Sequence, residues 1–593
     1  MDATDLPAAQ LREMDAQTVL QNLLRAGHPC LVAYSGGKDS TIALSLTLNA
    51  AVAAKEAGDV VPPIIVTHGN TGIENPTVSA LAHHELAKVR KFGTRHGLNI
   101  RAEVAEPALN DTWAVSVLSG RKLPTFANSS SRDCTIAYKI HPMVRLRKKL
   151  LKEVGSQRAK PVTIIGTRFE ESTERAARMA ARRESATLPW EKDGAMYLSP
   201  IAEWTSDDVW ESIGRMRTAE MPSFTNGDDV FELYAAGGGT SCAVVSDMAT
   251  EGAKKSRACG ARFGCSLCAA VGRDKSLENM LEADPKYAWL RGLNRIQRFL
   301  VDTQYDFDRR NWLGRSIDAD GFIKVTPDTY SPAMLADLLR YCLTVDADER
   351  EAAAKEGLDG PRFQLVSKPA LIAIDAFWGL HALQDSPFAA VAIWQEVNVR
   401  GKRFYPPENV IAYPVRGFPA VKYIYVGDDW DQGTNSAFSG LRDVLAELSS
   451  PDTEQTQVLK GGRRVLKLDE SDMFEVDEEG ASLFLEWEAE RVVSDAANRP
   501  QSSSRTFFYY ANLGIISTSK RHAGMLDSIA RRANWRRSMG LAGPVKPSAI
   551  KTMAISKQER DYQVEMMKGS GEEMVGPVQE LPLRMRLCHP VYL

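Results

Sequence analysis

The chain has 593 residues, 73 Lys and Arg against 76 Asp and Glu, and a formal net charge of −3. That length implies several domains at roughly 150 residues each, and so even a balance excludes any partner argued from overall charge alone. Eight cysteines are too few for a disulfide scaffold in so long a chain, no apolar run is long enough to span a membrane, and the polar start MDATDLPAAQLREMDAQ lacks the order of a signal peptide, so a cytoplasmic location is expected. Local charge is uneven. Residues 141–185 carry 12 Lys or Arg against 5 acids, whereas 421–490 carry 6 against 17.

In chain order, an amphipathic helix over 15–25 precedes Cys30-Leu31-Val32-Ala33-Tyr34, an apolar run that reads as a short buried parallel strand. It runs into Ser35-Gly36-Gly37-Lys38-Asp39-Ser40-Thr41, and an alanine- and leucine-rich helix follows to about residue 55. Two glycines let the backbone turn tightly and bring N–H groups near an anion. The helix N-terminus adds partial positive charge, and Lys38 adds a full one. The loop suits phosphate. It is not a Walker A loop, because the glycine five residues before Gly-Lys is absent and Asp39 replaces the hydroxyl residue.

These seven residues resemble the PP-loop of the ATP pyrophosphatases, S-G-G-x-D-S-[ST]. The resemblance implies an α/β fold: a doubly wound parallel sheet of the adenine nucleotide alpha-hydrolase-like type, splitting ATP between its α- and β-phosphates. It implies that Ser35 to Thr41 grip the pyrophosphate and that Asp39 helps to hold Mg2+.

A second buried strand, Ile64-Ile65-Val66-Thr67, ends in His68-Gly69-Asn70-Thr71-Gly72-Ile73-Glu74-Asn75-Pro76. Ligands in open α/β sheets bind beyond the carboxyl ends of strands, so this loop belongs beside the first. The stretch resembles the Asp-Thr-Gly-x-x-x-Pro of phosphoadenylylsulfate reductase-like proteins, which lines the nucleotide pocket, with Asn70 in place of the acid. Loop capping by Asn70 and Glu74 is the plainer alternative. A helix over 77–96 and an edge-like strand over 99–104 follow. Then Arg132-Asp133-Cys134-Thr135, Lys139 and Pro142 resemble the Arg/Cys/Lys segment of the same family. There Arg132 and Lys139 bracket phosphates or substrate, and Cys134 is a candidate sulfur carrier, since nearby cations favour thiolate; a buried structural cysteine is the alternative.

Pro161 to Gly166 reads as a strand entering Thr167-Arg168-Phe169-Glu170-Glu171-Ser172-Thr173-Glu174-Arg175. This resembles the family's Gly-x-Arg-x-x-Glu-Ser-x-x-Arg pattern and makes Gly166 and Arg168 candidates for the nucleotide site, while Arg175 and Arg178 read as solvated helix surface. The segment Pro200-Ile201-Ala202-Glu203-Trp204, with Asp207-Asp208-Val209-Trp210, resembles the end of the nucleotide domain. Its tryptophans are expected in the core.

Cys259, Cys265 and Cys268 crowd together, with Cys242 seventeen residues upstream of the first. Four thiolates suit a tetrahedral zinc or an iron–sulfur cluster, and spacing leaves both open. The run Cys-Gly-x-Arg-Phe-Gly-Cys-x-x-Cys, followed by Asp274-Lys275-Ser276-Leu277, resembles the DndC-type (also SspD-type) sulfurtransferases of DNA phosphorothioation and implies a [4Fe-4S] cluster; Ser266 stands where tryptophan is usual. By that resemblance the partners are DNA, a cysteine desulfurase as sulfur donor and other phosphorothioation proteins. A tRNA thiolation enzyme and a nucleotide-binding scaffold of a phage-defence complex are the alternatives. A phosphoadenylylsulfate reductase ranks lower, because the only cysteine near the C-terminus, Cys588, stands in Leu-Cys-His-Pro and not in Glu-Cys-Gly-x-His.

Helices are expected to dominate from 277 to 356 and to form a core over 371–394. Gly401-Lys402-Arg403-Phe404-Tyr405 is a basic-aromatic patch or a turn. Residues 469–490 read as an acidic solvated face. Residues 515–560 carry 10 Lys or Arg against 2 acids, including arginines around Trp535. They suit nucleic acid if that ring is exposed, and a protein-facing helix if it is not. The expected domains are 1–235, the PP-loop domain; 236–412, a cysteine-cluster and helical region; and 413–593, an α+β accessory region.

Overall fold

The computed structural model describes residues 8–124, 133–154, 159–192, 194–237, 263–270, 272–414, 417–427, 456–458, 464–466, 473–498, 502–518, 520–543, 545, 550 and 552–570. They fall into two compact units. The first lies within Met1–Pro107, Asp133–Ser266 and Asp274–Asn294, the second within Ala108–Arg132, Leu267–Arg273 and Arg295–Leu593.

The first unit is built on a six-stranded sheet. Its strands are β1 (Cys30–Tyr34), β2 (Ile64–Gly69), β3 (Ile100–Ala105), β4 (Val162–Ile164), β5 (Trp190–Lys192) and β6 (Ala195–Leu198), in the order β3-β2-β1-β4-β6-β5. All neighbours are parallel except the β5–β6 hairpin. The chain lays β2 and β3 on one side of β1, then returns to place β4 on the other. The carboxyl ends of β1 and β4 therefore flank a topological switch point, where open α/β sheets bind ligands. The expected doubly wound sheet is present, with β3 at its edge; the β5–β6 hairpin was not anticipated, because its seven residues alternate too little to separate from loop.

Helix α1 (Ala8–Arg25) and the helix Ser206–Arg217 pack on α2 (Lys38–Glu56), whose Ile42, Leu44, Leu46 and Leu48 are fully buried. Helix α3 (Pro76–His96) starts under an Asn75 side-chain cap and ends at Gly97 in the left-handed region, φ 59°. The helix His141–Val154 packs Leu150 and Val154 against Leu31 and Ile65, which leaves Arg145, Lys148, Lys149 and Lys152 exposed. Part of the basic stretch is thus a solvated face bound to the sheet through its apolar stripe.

The second unit contains an antiparallel sheet of β7 (Arg310–Ile317), β8 (Phe322–Tyr330) and β9 (Lys422–Tyr425); β7 and β8 lie inside the stretch 277–356 expected to be mainly helical, while β9 falls where residues 421–426 read as strand-like. The turn Asp318-Ala319-Asp320-Gly321 sets the hairpin. Gly321 has φ +79°, and the Asp318 carboxylate accepts from the Asp320 and Phe322 N–H groups at 3.1 and 2.9 Å. The helices Pro332–Lys355, Lys368–Leu380 and Ala389–Asn398 make the anticipated apolar core. Lys402, Arg403 and Tyr405 are engaged internally, with Glu396 at 3.0 Å, Asp348 at 3.3 Å and Asp348 at 3.0 Å. That patch is a pinned turn.

The basic helix Lys520–Ser538 faces protein. Trp535 packs against the cluster around Trp312 and Ile424 and donates to the Val426 carbonyl at 3.1 Å, and Arg536 is buried, donating to the Gly314 carbonyl. The exposed tryptophan required for base stacking is therefore absent at this position. Within the acidic stretch, the helix Glu478–Leu483 continues through the turn Phe484–Glu488 and buries Ala481, Phe484 and Leu485.

The carboxyls of Asp375 and Asp346 are fully buried in this unit. Asp375 accepts from the Tyr510 hydroxyl and the Ala390 N–H, both at 2.8 Å, and Asp346 accepts from the Leu365 and Val366 N–H groups. Burial pushes each up to about 7, against a smaller opposing effect of those bonds. The unfolded chain ionises near its ordinary value and the folded chain only near 7, so these groups lower stability progressively as pH rises across that window. The expected outcome is a melting temperature that falls between about pH 4 and 7, with a flatter profile in the Asp375→Asn variant, measured by scanning calorimetry.

Candidate nucleotide site

The loop after β1 is shaped by its small residues. Gly36 has φ +76°, and a Cβ there would stand 3.2 Å from Ala82 Cβ. Gly37 is the N-cap of α2 and carries no side-chain cap. The Ser40 and Thr41 hydroxyls instead donate back to the Gly37 carbonyl at 2.9 and 3.0 Å, and the Ser35 N–H donates to Ser40 Oγ at 3.2 Å. The first turn of a largely buried helix is thereby held against β1 by the loop's own hydroxyls. Its N–H groups and partial positive charge point to the switch point.

Asp39 is the centre of the charged groups. Its Oδ1 accepts from Arg168 Nε at 2.6 Å and from Lys38 Nζ at 3.0 Å; Lys38 also reaches Oδ2 at 3.2 Å. Arg168 is only 4% exposed, and its Nη1 donates to Glu170 at 3.2 Å and to the Trp204 carbonyl at 3.3 Å. A buried guanidinium needs such pairing. Gly166 makes the approach possible. A Cβ there would lie 2.8 Å from the Asp39 carbonyl oxygen and 3.0 Å from Ser40 Cα. Behind it, the buried Glu184 carboxylate accepts from Thr167 Oγ1 at 2.9 Å, Ser199 Oγ at 3.2 Å and Arg182 Nε at 2.7 Å, which fixes the exit of β4. Arg175 is tied to Glu171, and Arg178 lies 3.9 Å from Glu174, both helix-surface pairs.

At the end of β2, Asn70 caps its own loop. It accepts from the Gly72 N–H at 3.0 Å and donates to Glu106 at 2.9 Å. Neighbouring His68 is buried, and its Nδ1 donates to the Tyr34 carbonyl at 3.0 Å. Burial lowers its pKa, with the Tyr34 bond opposing. Glu74 is 3.2 Å from Lys139 and forms an isolated antiparallel bridge with Cys265; the Ser266 N–H donates to the Ile73 carbonyl at 2.7 Å. Cys134 opens the helical segment whose π-turn, Ile136–Ile140, carries Lys139. Burial opposes the Lys139 charge, but Glu74, Cys265 and Cys134 together outweigh it and raise its pKa. Three separated motifs thus meet around one ammonium. Sequence reasoning placed Cys134 and Lys139 together and missed the Glu74–Cys265 bridge, which has no sequence signal.

Arg132, Cys242 and Cys259 lie outside the described residues. Cys265 and Cys268 are half-buried. Among the described residues no group of three or more His, Cys, Asp or Glu side chains is arranged to hold a metal ion. Asp39 does fit magnesium, as a single carboxylate beside a phosphate loop, because that ion takes one or two carboxylates and completes its shell with water and substrate phosphates.

One expectation changes. Trp204 is core, but Trp210 is half-buried with its ring 6.0 Å from Lys38 Nζ.

Residues 29–270 match the family model of the phosphoadenosine phosphosulfate reductase domain. This segment is similar to that family. The match spans β1 to β6, the loop and the Cys265–Cys268 pair, so the resemblance read from the PP-loop holds at the level of the family, whose members are enzymes acting on adenine nucleotides. The comparison with curated proteins gave no match. No helix among the described residues is long and apolar enough to cross a membrane.

Gly166→Ala drives a Cβ into backbone, not into a flexible side chain, so loop and strand must separate. The expected result is at least tenfold weaker Mg-ATP binding by calorimetry, with destabilisation of about 1–3 kcal/mol by urea unfolding.

Proposed function

We propose that this protein is an ATP-dependent sulfurtransferase of DNA backbone phosphorothioation. The observation that carries the nucleotide half of this reading is the charged triad at the switch point, Lys38 and Arg168 converging on Asp39 at the mouth of the phosphate loop. The DNA half rests on the cysteine run and its resemblance to the DndC-type enzymes.

A non-bridging oxygen of a DNA phosphate is a poor leaving group. In the proposed reaction it attacks the α-phosphorus of ATP, pyrophosphate departs, and the oxygen becomes part of an AMP leaving group. A persulfide sulfur, delivered to Cys134 by a cysteine desulfurase partner, then attacks the DNA phosphorus and displaces AMP. A second thiol attacks Cys134 Sγ, leaves the sulfur on DNA as the phosphorothioate and forms a disulfide with Cys134. The loop N–H groups take the charge that develops on pyrophosphate, and they do so without reorganisation because the Ser40 and Thr41 hydroxyls already fix them. When triphosphate arrives, Lys38 exchanges Asp39 for a phosphate oxygen, while Arg168 stays anchored by Glu170 and the Trp204 carbonyl. Asp39 would hold magnesium, which supplies charge neutralisation of the phosphates. Cys134, beside Lys139, is the proposed sulfur acceptor. Cys242, Cys259, Cys265 and Cys268 would hold a [4Fe-4S] cluster, or zinc, supplying redox or structural chemistry. DNA is proposed to reach the site past Arg145, Lys148 and Lys149, which gives strongly salt-dependent affinity.

Mass spectrometry of nuclease-digested DNA from the source organism tests the reading. Phosphorothioate dinucleotides are expected with the intact gene and should vanish with Asp39→Ala. Their absence from both strains, with the protein expressed, would overturn it. For the thiolates, Cys265→Ser and Cys268→Ser proteins are each expected to lose bound metal, measured by elemental analysis after anaerobic purification; full retention in both would remove them from the ligand set.

A further inference from the structure

The helical segment opened by Cys134 turns an apolar stripe outward. Ile136, Ile140 and Val144 recur every four residues, through the π-turn Ile136–Ile140 and into the helix His141–Val154, and are 44, 48 and 44% exposed. The inward side has its own partners. Ala137, Tyr138, Pro142, Leu150 and Val154 are buried, the last two against Leu31 and Ile65. β-Branched side chains are poor helix formers, so three of them on a solvated face gain nothing for the helix itself. Single exposed aliphatics are ordinary, whereas a contiguous row is the usual mark of a contact surface.

The stripe starts two residues after Cys134, which is half-buried. At about 1.5 Å per residue, Val144 lies about 15 Å further along the axis. A standard protein interface of about 800 Å² per partner is roughly 30 Å across, so one centred on the thiol reaches the whole stripe. Beyond Val144 the helix exposes Arg145, Lys148, Lys149 and Lys152, and its one acid, Glu153, is 2.9 Å from Arg101. A surface that fits this face carries aliphatic residues beside carboxylates. The basic end is shared with the proposed DNA path, but phosphate gains nothing from the aliphatic row.

The chemistry proposed for Cys134 requires a protein in contact here. The Cys134 thiolate attacks the outer sulfur of a persulfide on a donor cysteine. The donor's S–S bond breaks, its cysteine leaves as a thiolate, and the transferred sulfur stands on Cys134 with its proton. The bond that forms is about 2 Å long, so the two proteins must touch around this residue.

We propose that the stripe Ile136, Ile140 and Val144, with the basic residues beyond it, is the docking surface for the protein that carries sulfur to Cys134. The facing surface of that donor is apolar with an acidic rim. The inference rests on reading Cys134 as the sulfur acceptor, and it adds where the donor binds and by what chemistry.

In the test, full-length protein is loaded with sulfur by two routes. One is each cysteine desulfurase of the source organism with L-cysteine; the other is inorganic polysulfide, which needs no docking. Persulfide on Cys134 is followed by alkylation and peptide mass spectrometry. In the double variant Ile140→Ser, Val144→Ser the desulfurase concentration for half-maximal loading rises about tenfold, as for the loss of central interface residues. Polysulfide loading and melting temperature stay at wild type. Ile140→Leu keeps the apolar bulk and loads like the wild type. Lys152→Glu weakens desulfurase-dependent loading alone, and raised salt weakens it in the wild type. The proposal is overturned if the serine variant keeps wild-type desulfurase loading, if both routes fall together in folded protein, or if polysulfide loads Cys134 and no desulfurase does. Where the serine variant unfolds, Lys152→Glu at its exposed position supplies the readout. Failure of the underlying reading looks different: Cys134 then takes sulfur by neither route.

Discussion

The close approach of two backbones, Gly166 to Asp39 and Ser40, is the constraint on which the candidate nucleotide site depends. Because position 166 has no side chain, the exit of β4 lies against the first turn of α2. That contact carries Arg168 to Asp39 at 2.6 Å and buries a guanidinium that would otherwise need water. Everything behind it serves the same distance. The Glu184 carboxylate holds Thr167 and Ser199, and the Trp204 carbonyl takes one Arg168 donor, so the arginine is held in place by protein groups alone. Such preorganisation is what an electrostatic site requires, since charges that need not move lose little energy when the reaction develops its own.

A second set of contacts links motifs far apart in the chain. The loop ending β2 supplies Glu74, the π-turn supplies Lys139, and the cysteine run supplies Cys265, all within the first unit. π-turns are uncommon in helices and often mark functional positions; here the turn carries the ammonium that links Cys134 and Cys265 electrostatically. The proposed sulfur acceptor and one proposed cluster ligand therefore share an electrostatic environment.

The second unit shows how composition misleads when its charges are used internally. The arginine-rich helix around Trp535 looks like a nucleic-acid surface by content, yet Trp535 packs on the small antiparallel sheet and Arg536 is spent on a backbone carbonyl. Lys402 and Arg403 are likewise paired to Glu396 and Asp348. Charge counts do not say which face of a helix the charges occupy, and only the packing does.

The amino-acid sequence by itself determined the tight glycine loop between strand and helix, the buried β1 strand, the parallel sheet that follows from alternating strand and helix, and the candidacy of Asp39, Arg168 and Gly166. Those features rest on local rules: glycine where the backbone must turn or be approached, short apolar runs for buried strands, and a strand-to-helix junction for an anion. Tertiary structure alone decided that Trp210 stands at the loop while Trp204 is core, that Glu74 bridges to Cys265, that Glu184 fixes β4, and that β7 and β8 pair inside a helix-rich stretch. Each of these is a meeting of residues distant in sequence or a choice of helix face. Neither leaves a local trace, because the energy that selects it comes from packing partners that the segment does not itself contain.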